Sequence, residues 1–414
     1  MSRVLLAWEI GSAYGHLMRF AALAHELSRR GHEPVLALCD LTHVDEVLGA
    51  APFPVFQAPV FASTVSGLPT PLGFAESMMR LGFLHASALA GLVRGWHSLI
   101  ASVRPDLIVF DYAPTALLAT RGSNVPRIRV GTSFCVPPRT TPMPVYRWWR
   151  AEPTARIAEA ERIVLANANQ VLSRFALPPL QCLADLLDTD DEIITASAEF
   201  DQYPDRTDGR YWGDLANLDH GVVAVWPRVG AKRVFVYLRP RSRDFDLVME
   251  ALRGIDAAVV VHAPGIAPAQ VQRHSCANIA FSERPLRIDD VRRECDLAIC
   301  HGGSSTVEAM ITAGKPVLVL PQHIEQLMTA KRVQQLGAGL ATDFEKPPPD
   351  YRRLIRRLLD EPAFTQAAAA IAQRHAHDDD RSARVSRVVD RFEDLMRGAT
   401  SASTIAKRDE ERAR

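Results

Sequence analysis

Hydrophobic residues in the first half of the chain form short continuous runs separated by stretches of helical spacing. Val4–Trp8 is a continuous apolar run, which predicts a buried strand. The loop Gly11–Gly15 and an amphipathic helix follow, and Gly31 ends that helix. Strand Pro34–Leu38 completes a βαβ unit, and the apolar run Leu107–Phe110 is typical of a parallel strand covered on both faces. This half is therefore predicted to be a doubly wound α/β domain.

The same alternation resumes after a break in the middle of the chain. Residues 204–230 are rich in Pro, Gly and Asp and show little periodicity, which predicts a domain boundary. The strands predicted beyond it are Val234–Leu238, Ala258–His262, Leu297–Cys300 and Val317–Leu320. We therefore predict an N-terminal Rossmann-like domain at 1–215, a linker at 216–230, a C-terminal Rossmann-like domain at 231–398 and a disordered tail at 399–414.

A glycine loop in the second half carries candidate chemistry. The strand Leu297–Cys300 stops at His301, and two glycines, two serines and a helix follow. Bare backbone N–H groups and the N-terminus of a helix together attract phosphate, and the histidine adds a donor. This stretch implies a nucleotide diphosphate ligand.

Composition narrows the class of protein. Lys+Arg and Asp+Glu number 48 each, so nothing indicates nucleic acid as the main partner. The six cysteines show no C-x-x-C spacing, which favours reduced thiols in a cytoplasmic protein. Val4–Trp8 is too short for a signal peptide. Phe74–Val93 carries Glu76, Arg80 and His85, which favours a buried helix over a membrane span.

One segment of about forty residues resembles a known family. HGGSSTVEAMITAGKPVLVLPQHIEQLMTAKRVQQLGAG is similar to the donor-binding signature of UDP-glycosyltransferases, in their bacterial, family 1-like form. That signature has His-Gly-Gly, a Gly-x-Pro before a strand, Pro-Gln, an acid-Gln pair and a Val-x-x-x-Gly-x-Gly ending. Gly15-His16, after the first strand, resembles the family's N-terminal motif. The resemblance implies the GT-B fold, in which two facing Rossmann-like domains bind acceptor (N-terminal) and nucleotide sugar (C-terminal).

A base is needed to take the proton of the acceptor hydroxyl, and His16 is our candidate. It lies at a helix N-terminus on the carboxyl edge of the predicted sheet, where the helix dipole favours the neutral imidazole that a base must be. Asp111 ends the strand Leu107–Phe110 on the same edge, and the family pairs its histidine with an aspartate there. We expect a His16–Asp111 dyad; a helix-capping histidine and a turn aspartate are the alternatives.

For the donor, the resemblance implies binding by backbone N–H groups, hydroxyls and an imidazole, without metal or other cofactor. The residues concerned are His301, Gly302, Gly303, Ser304, Ser305 and Thr306. Glu325 and Gln326 match the acid-Gln pair that binds sugar hydroxyls in the family, although they equally suit a helix cap.

Three positions depart from the family pattern. Glu308 lies one residue before the usual ribose-binding glutamate, and Ser305–Glu308 equally predicts a capping box, which we favour. Arg239 replaces a Gly-Ser turn that touches phosphate in many relatives. Two interpretations of Arg239 remain open: a bidentate contact with phosphate, and a side chain solvated at the surface. Arg19 stands where proline is common in relatives. Proline favours the first turn of a helix, but its absence here does not remove the candidate base His16.

The aromatic group in the acceptor half is predicted chiefly to pack in the core, with cover for an apolar acceptor or contact with a membrane surface left open. It comprises Tyr146, Trp148 and Trp149, with Arg147 and Arg150 beside them.

The sequence thus predicts a metal-independent, inverting glycosyltransferase. It would move a hexosyl group from a nucleotide diphosphate sugar to a hydroxyl of a small molecule or lipid. The resemblance to the family favours a UDP-sugar as the donor. We expect no nucleic-acid partner and no membrane span, with peripheral membrane contact left open. Two alternatives remain: a nucleotide-sugar epimerase on the same fold, and a catalytically silent auxiliary subunit of a partner transferase.

Overall fold

The computed structural model describes residues 1–11, 14–216, 221–378 and 380–412, with side chains up to 399. The chain divides into two compact units. The first comprises Met1–Thr195, Asp205–Ala216 and Asp380–Arg414, and the second comprises Ala196–Pro204 and Asn217–Asp379.

The first unit is built on six parallel strands with helices around them. Its elements are β1 (Arg3–Trp8), α1 (Tyr14–Arg29), β2 (Glu33–Leu38), α2 (Val44–Leu48), β3 (Val55–Gln57), α3 (Phe74–Met78), α4 (Ala86–Val103), β4 (Leu107–Asp111), α5 (Pro114–Ala119), β5 (Arg127–Gly131), α6 (Thr154–Arg174) and β6 (Asp191–Ile194). The strand order is β3-β2-β1-β4-β5-β6. The central strands are buried on both faces, which is why they are continuous apolar runs in the sequence.

The second unit repeats this architecture. Its elements are β7 (Lys232–Tyr237), α7 (Phe245–Arg253), β8 (Ala257–His262), α8 (Pro268–His274), β9 (Ile279–Ser282), α9 (Ile288–Glu294), β10 (Leu297–Cys300), α10 (Ser304–Ile311), β11 (Val317–Val319), α11 (Ile324–Gln335), β12 (Gly339–Ala341), α12 (Tyr351–Asp360) and α13 (Pro362–Arg374). The parallel strands run in the order β12-β11-β10-β7-β8-β9. The predicted pair of doubly wound domains is confirmed.

The last helix, α14 (Arg381–Arg412), belongs to the first unit. Its apolar side chains, including Val388 and Phe392, join the core formed by α1 and the inner strands. The sequence had assigned residues up to 398 to the second domain, because nothing in a local pattern says which core a terminal helix covers. The backbone is helical through most of the predicted disordered tail, and residues 413–414 lie outside the described residues.

Two further segments differ from their sequence-based description. The predicted helix at 74–93 is split, since α3 ends at Met78 and a π-helical turn holds Gly82 at a φ of 99°. Of the predicted linker at 216–230, residues 217–220 lie outside the described residues. Among the helices that are described, none is both long and apolar enough to span a membrane.

Each sheet reverses its strand order at its centre, and this is where open α/β sheets bind ligands. In the first unit the reversal falls between β1 and β4, and in the second between β7 and β10. The loops after those four strands are the ones in which the sequence places the candidate site residues.

Candidate functional site

The structure brings together the two residues of the predicted dyad in the first unit. Trp8 and Asp111 are register partners at the ends of β1 and β4, and His16 lies in the first turn of α1. The Nδ1 atom of His16 lies 3.0 Å from Oδ2 of Asp111, whose side chain is fully buried, while that of His16 is 13% exposed. Because a carboxylate can only accept, this contact favours a hydrogen on Nδ1 and leaves the lone pair on Nε2.

The packing around the imidazole orients it further. The ring stacks on Trp8 with a centroid distance of 5.0 Å and an interplanar angle of 16°. Gly11 has a φ of +110°, and a Cβ there would come within 2.8 Å of Nε2 of His16. Glycine is therefore required at this turn both by the backbone and by the space that keeps Nε2 accessible.

The sequence did not identify a third member of this group, Arg19. Its Nη1 donates a hydrogen bond to the same Oδ2 of Asp111, and its side chain is only 2% exposed. Cys135 lies close by, and possible ligand atoms of His16, Asp111 and Cys135 all fall within 4.8 Å of one another. Arg19 already provides a cation for this carboxylate, so we interpret the group as an ion-pair network rather than a metal centre.

A second buried carboxylate, Glu9, follows β1 and caps α5. It accepts hydrogen bonds from the backbone N–H groups of Thr115 at 2.9 Å and Ala116 at 3.3 Å, and from the Thr115 hydroxyl. Burial raises the pKa of Glu9 to about 8. Although this pKa would suit a base, both oxygens are engaged by α5, so we assign Glu9 a structural role.

The glycine loop of the second unit joins β10 to α10 as predicted. Gly302 has a φ of +96°, and a Cβ there would lie 2.7 Å from Val319, so only glycine fits. Gly303 is the N-cap of α10, which lacks a side-chain cap. Gly303 itself therefore offers no side-chain acceptor to the first N–H groups of α10, as at anion-binding helix starts. Ser304 and Ser305 are half-buried and Thr306 is buried on this first turn.

His301 is held by its Nδ1, which lies 3.2 Å from the carbonyl oxygen of Tyr237. Since a carbonyl only accepts, Nδ1 carries the hydrogen and Nε2 of the neutral ring does not. Burial lowers the pKa of His301 to about 4, so the free ring is neutral at pH 7. The expected phosphate donor at Nε2 thus requires protonation of the ring.

Two basic residues accompany this histidine. Arg239, exposed after β7, is close enough to lower the pKa of both His301 and His323. His323 is the N-cap of α11 and is exposed, and its pKa is lowered chiefly by partial desolvation. Sequence analysis missed His323, although its position two residues before Glu325 in the family-like segment was the available signal.

The predicted acid-Gln pair begins α11. The Oε1 atom of Gln326 accepts a hydrogen bond from the N–H of Gln322 at 2.8 Å, so the oxygen of this side chain holds the preceding loop in place. A Cβ on Gly302 would lie 3.3 Å from Gln326, which shows that the two loops touch. The side chain of Glu325 is half-buried, and its backbone carbonyl accepts from Gln202 at 2.9 Å.

The capping interpretation of Glu308 is wrong. α10 begins at Ser304 with Gly303 as its N-cap, so Ser305 lies inside the helix and not at the cap position. Instead Oε1 of Glu308 accepts from the backbone N–H and the hydroxyl of Ser197, at 3.0 and 2.6 Å. Glu308 is 6% exposed. It anchors the segment 196–204 to α10, a contact that sequence separation conceals.

This anchor leads to a stability prediction. Glu308→Ala leaves the half-buried N–H of Ser197 without its acceptor, so we expect a loss of stability of about 1–3 kcal/mol and faster amide exchange in residues 196–204. Glu308→Gln keeps an acceptor and should change exchange less, and Ser197→Ala removes only the hydroxyl bond. Hydrogen exchange of the unliganded protein measures this. Unchanged exchange in Glu308→Ala, together with weaker nucleotide binding, would instead support the ribose contact.

The aromatic group splits into two parts. Tyr146 and Arg147 are buried, with the Tyr146 hydroxyl on Ser77, whereas Trp148 and Trp149 are half-buried and contact each other edge to face. Tyr146 also packs on Phe134 at 5.2 Å, and Phe134 packs on Tyr112 at 5.8 Å. An aromatic row therefore leads from the residue after Asp111 into the first unit.

Comparison with known proteins agrees with this architecture. Residues 246–391 match the family model of the erythromycin biosynthesis protein CIII-like C-terminal domain. A PGL/p-HBAD biosynthesis glycosyltransferase of Mycobacterium tuberculosis is 22% identical over 399 residues, covering 91% of this chain and 89% of that protein.

Solved structures show the same fold. The glycotransferase of kitacinnamycin superposes with a TM-score of 0.70 at 18% identity, covering 95% of this chain and 98% of its own. The glycosyltransferase VinC, in complex with dTDP, gives a TM-score of 0.65 at 17% identity over 95% and 99% of the two chains. The fold is GT-B. The family model, the curated relatives and these structures together support a bacterial, family 1-like glycosyltransferase.

Proposed function

We propose that this glycosyltransferase moves a hexosyl group, with inversion and without a metal ion, from a nucleoside diphosphate sugar to an acceptor hydroxyl. The observation that carries the proposal is the His16–Asp111 pair at the switch point of the first sheet, with the Nε2 lone pair of His16 left accessible by Gly11. A neutral imidazole backed by a buried carboxylate is the usual arrangement of a general base.

In the proposed step, Nε2 of His16 takes the proton of the acceptor hydroxyl while its oxygen attacks the anomeric carbon. The bond from that carbon to the phosphate oxygen breaks, and the nucleoside diphosphate leaves with the electron pair. Asp111 fixes the ring and stabilises the imidazolium that forms. Attack opposite the leaving group inverts the configuration.

The second unit would bind the donor. The starts of α10 and α11 offer N–H groups near Arg239, His301 and His323, and together these would compensate the charge that grows on the diphosphate. The full set of proposed donor contacts is Arg239, His301, Gly302, Gly303, Ser304, Ser305, Thr306, His323, Glu325 and Gln326. Glu308 is left out of this proposal, because its Oε1 already accepts from Ser197.

The nucleoside is a pyrimidine in our proposal. UDP follows from the sequence resemblance, and dTDP is the ligand of the VinC structure. A ligand that binds only the folded state raises the melting temperature, so thermal shifts with UDP, dTDP and GDP rank the bases. The larger shift identifies the donor; an equal shift with GDP would contradict a pyrimidine preference.

We further propose a hydroxyl on an apolar small molecule or lipid as the acceptor. Tyr112 supports this, since it is half-buried, directly follows Asp111 and packs on Phe134, and aromatic side chains near a ligand site favour apolar partners. A cytoplasmic location is part of the proposal, and the six free cysteines support it.

The proposed function is tested by incubating the protein with UDP- and dTDP-sugars and a panel of hydroxyl acceptors. Acceptor-dependent release of the nucleoside diphosphate, with a glycosylated product of inverted configuration, is the expected result. Interconversion of the sugar without transfer would identify an epimerase. Binding without turnover would identify an auxiliary subunit.

The chemistry of His301 gives a pH prediction for the donor. A diphosphate at Nε2 would raise the pKa of the ring above its free value of about 4, so the bound state holds more protons between the two values. Affinity for a UDP-sugar is therefore expected to rise as the pH falls through that interval. Calorimetry at pH 6 in buffers of different ionisation enthalpy measures the proton uptake. A UDP-sugar is used because its diphosphate does not itself titrate there.

Matched variants separate the two histidines of the site. His301→Asn should abolish most of the proton uptake on donor binding. His323→Asn measures the part of that uptake that His323 contributes. Donor binding by the wild type without any proton uptake would show that the diphosphate contacts backbone N–H groups and Arg239 alone.

A further inference from the structure

Arg19 occupies an unusual position for an arginine. It lies one turn after His16 on α1, and residues three apart share a helix face, so both side chains reach Asp111. Its side chain is 2% exposed, and Nη1 donates to Oδ2 of Asp111, the oxygen that also faces Nδ1 of His16. A buried guanidinium is costly unless it is paired, so this contact is not incidental packing.

The hydrogen bonding of the other carboxylate oxygen, Oδ1 of Asp111, also indicates that the contact with Arg19 is specific. Within the described residues, neither Oδ1 of Asp111 nor Nε of Arg19 has a hydrogen-bond partner, and Nδ1 of His16, although 3.0 Å from Oδ2, does not have the geometry of a hydrogen bond to it. The same carboxylate oxygen therefore accepts from the arginine and faces the histidine. Two groups that both favour negative charge on Asp111 lie against one fully buried carboxylate.

The electrostatics of the pair follow from this sharing. Burial pushes the pKa of Asp111 upward, but the charge of Arg19 and the contact with His16 hold it below its usual range. Burial likewise opposes the charge of Arg19, whose pKa is nevertheless raised by Asp111, with Cys135 and Asp214 acting in the same direction. Asp111 is thus an anion at every working pH, and Arg19 offsets part of its charge.

We propose that Arg19 is a positioning residue of the reaction: it holds Asp111 ionised and oriented toward Nδ1 of His16, and it sets the pH above which His16 accepts a proton. This inference rests on the proposed function, because it concerns the same base.

Two substitutions separate charge from volume. Arg19→Met fills the buried space without charge, and Arg19→Lys keeps the charge. Removing a cation near an imidazole favours its protonated form, so in Arg19→Met the acid limb of the kcat/KM profile should move to higher pH by about one unit. Arg19→Lys should keep the limb near that of the wild type. An active Arg19→Met enzyme with an unmoved acid limb would overturn the proposal.

Other titratable groups near the pair must be separated from it. Glu9 follows β1 and Cys39 follows β2, and burial raises their pKa values to about 8 and about 12. Because the pKa of Glu9 is near neutrality, the comparison is repeated in a Glu9→Gln background. The acid limb of the kcat/KM profile should still lie at higher pH when Arg19→Met is added to that background. A shift that disappears there would assign the limb to Glu9 and refute the role of Arg19.

A spectroscopic measurement does not depend on turnover. In the ¹⁵N-labelled wild type, the ring nitrogens of His16 should report a hydrogen on Nδ1 and none on Nε2 at neutral pH. The ring should titrate at higher pH in Arg19→Met, or in Arg19→Gln if the methionine variant does not fold. A hydrogen on Nε2 in the wild type, or an unchanged titration, would refute the proposal. Full turnover in His16→Ala would instead refute the proposed function and leave this titration result standing.

Discussion

Replacing His16 by alanine is expected to lower turnover by about 10²–10⁴-fold, the usual contribution of a positioned general base. The acceptor hydroxyl would then lose its proton to water, while folding and donor binding stay intact because His16 is in the other unit from the glycine loop. Asp111→Asn should act in the same direction, since an amide can donate to Nδ1 and stabilise the wrong tautomer. The measurement is kcat with an accepted hydroxyl substrate.

His25→Ala is the matched control, because His25 lies exposed on the same helix and packs edge to face on Phe53. Its turnover should equal that of the wild type. A fully active, folded His16→Ala enzyme would remove His16 from the mechanism.

Replacing Arg239 by alanine is expected to weaken donor binding by about 10–100-fold, since a charge-assisted hydrogen bond to phosphate contributes about 1.5–3 kcal/mol. Arg239 is the arginine of the proposed donor set, whereas burial lowers the pKa of His301 to about 4 and leaves that ring neutral in the free protein. His301→Ala should also lower the affinity for the donor. Calorimetry with a UDP- or dTDP-sugar measures both.

The control is Arg241→Ala, two residues further along the same loop and also exposed. It removes the same net charge without a group in the proposed set, so any effect of long-range electrostatics appears in both variants. Equal affinity in Arg239→Ala and Arg241→Ala would mean that Arg239 acts only through the overall field, and would withdraw it from the site.

Much of this protein was determined by local sequence. The strands are continuous apolar runs because parallel strands are buried on both faces, and glycines mark turns where a side chain would clash. The ends of such strands meet at one edge of a sheet, so the positions of His16, Asp111 and His301 were predictable once the strands were. His16 and Asp111 lie 3.0 Å apart, brought together by β1, α1 and β4.

The tertiary structure alone decided the partners of the charged groups. Glu308 bonds to Ser197, 111 residues away, because segment 196–204 packs with the second unit; its local pattern indicated a cap instead. Arg19 would ordinarily be a solvated helix residue, and only the fold brings the buried Asp111 within its reach. α14 likewise joins the first core although it follows the second in sequence. Apolar periodicity fixes which face of an element is buried, whereas the partner of a charge depends on which distant element closes over it.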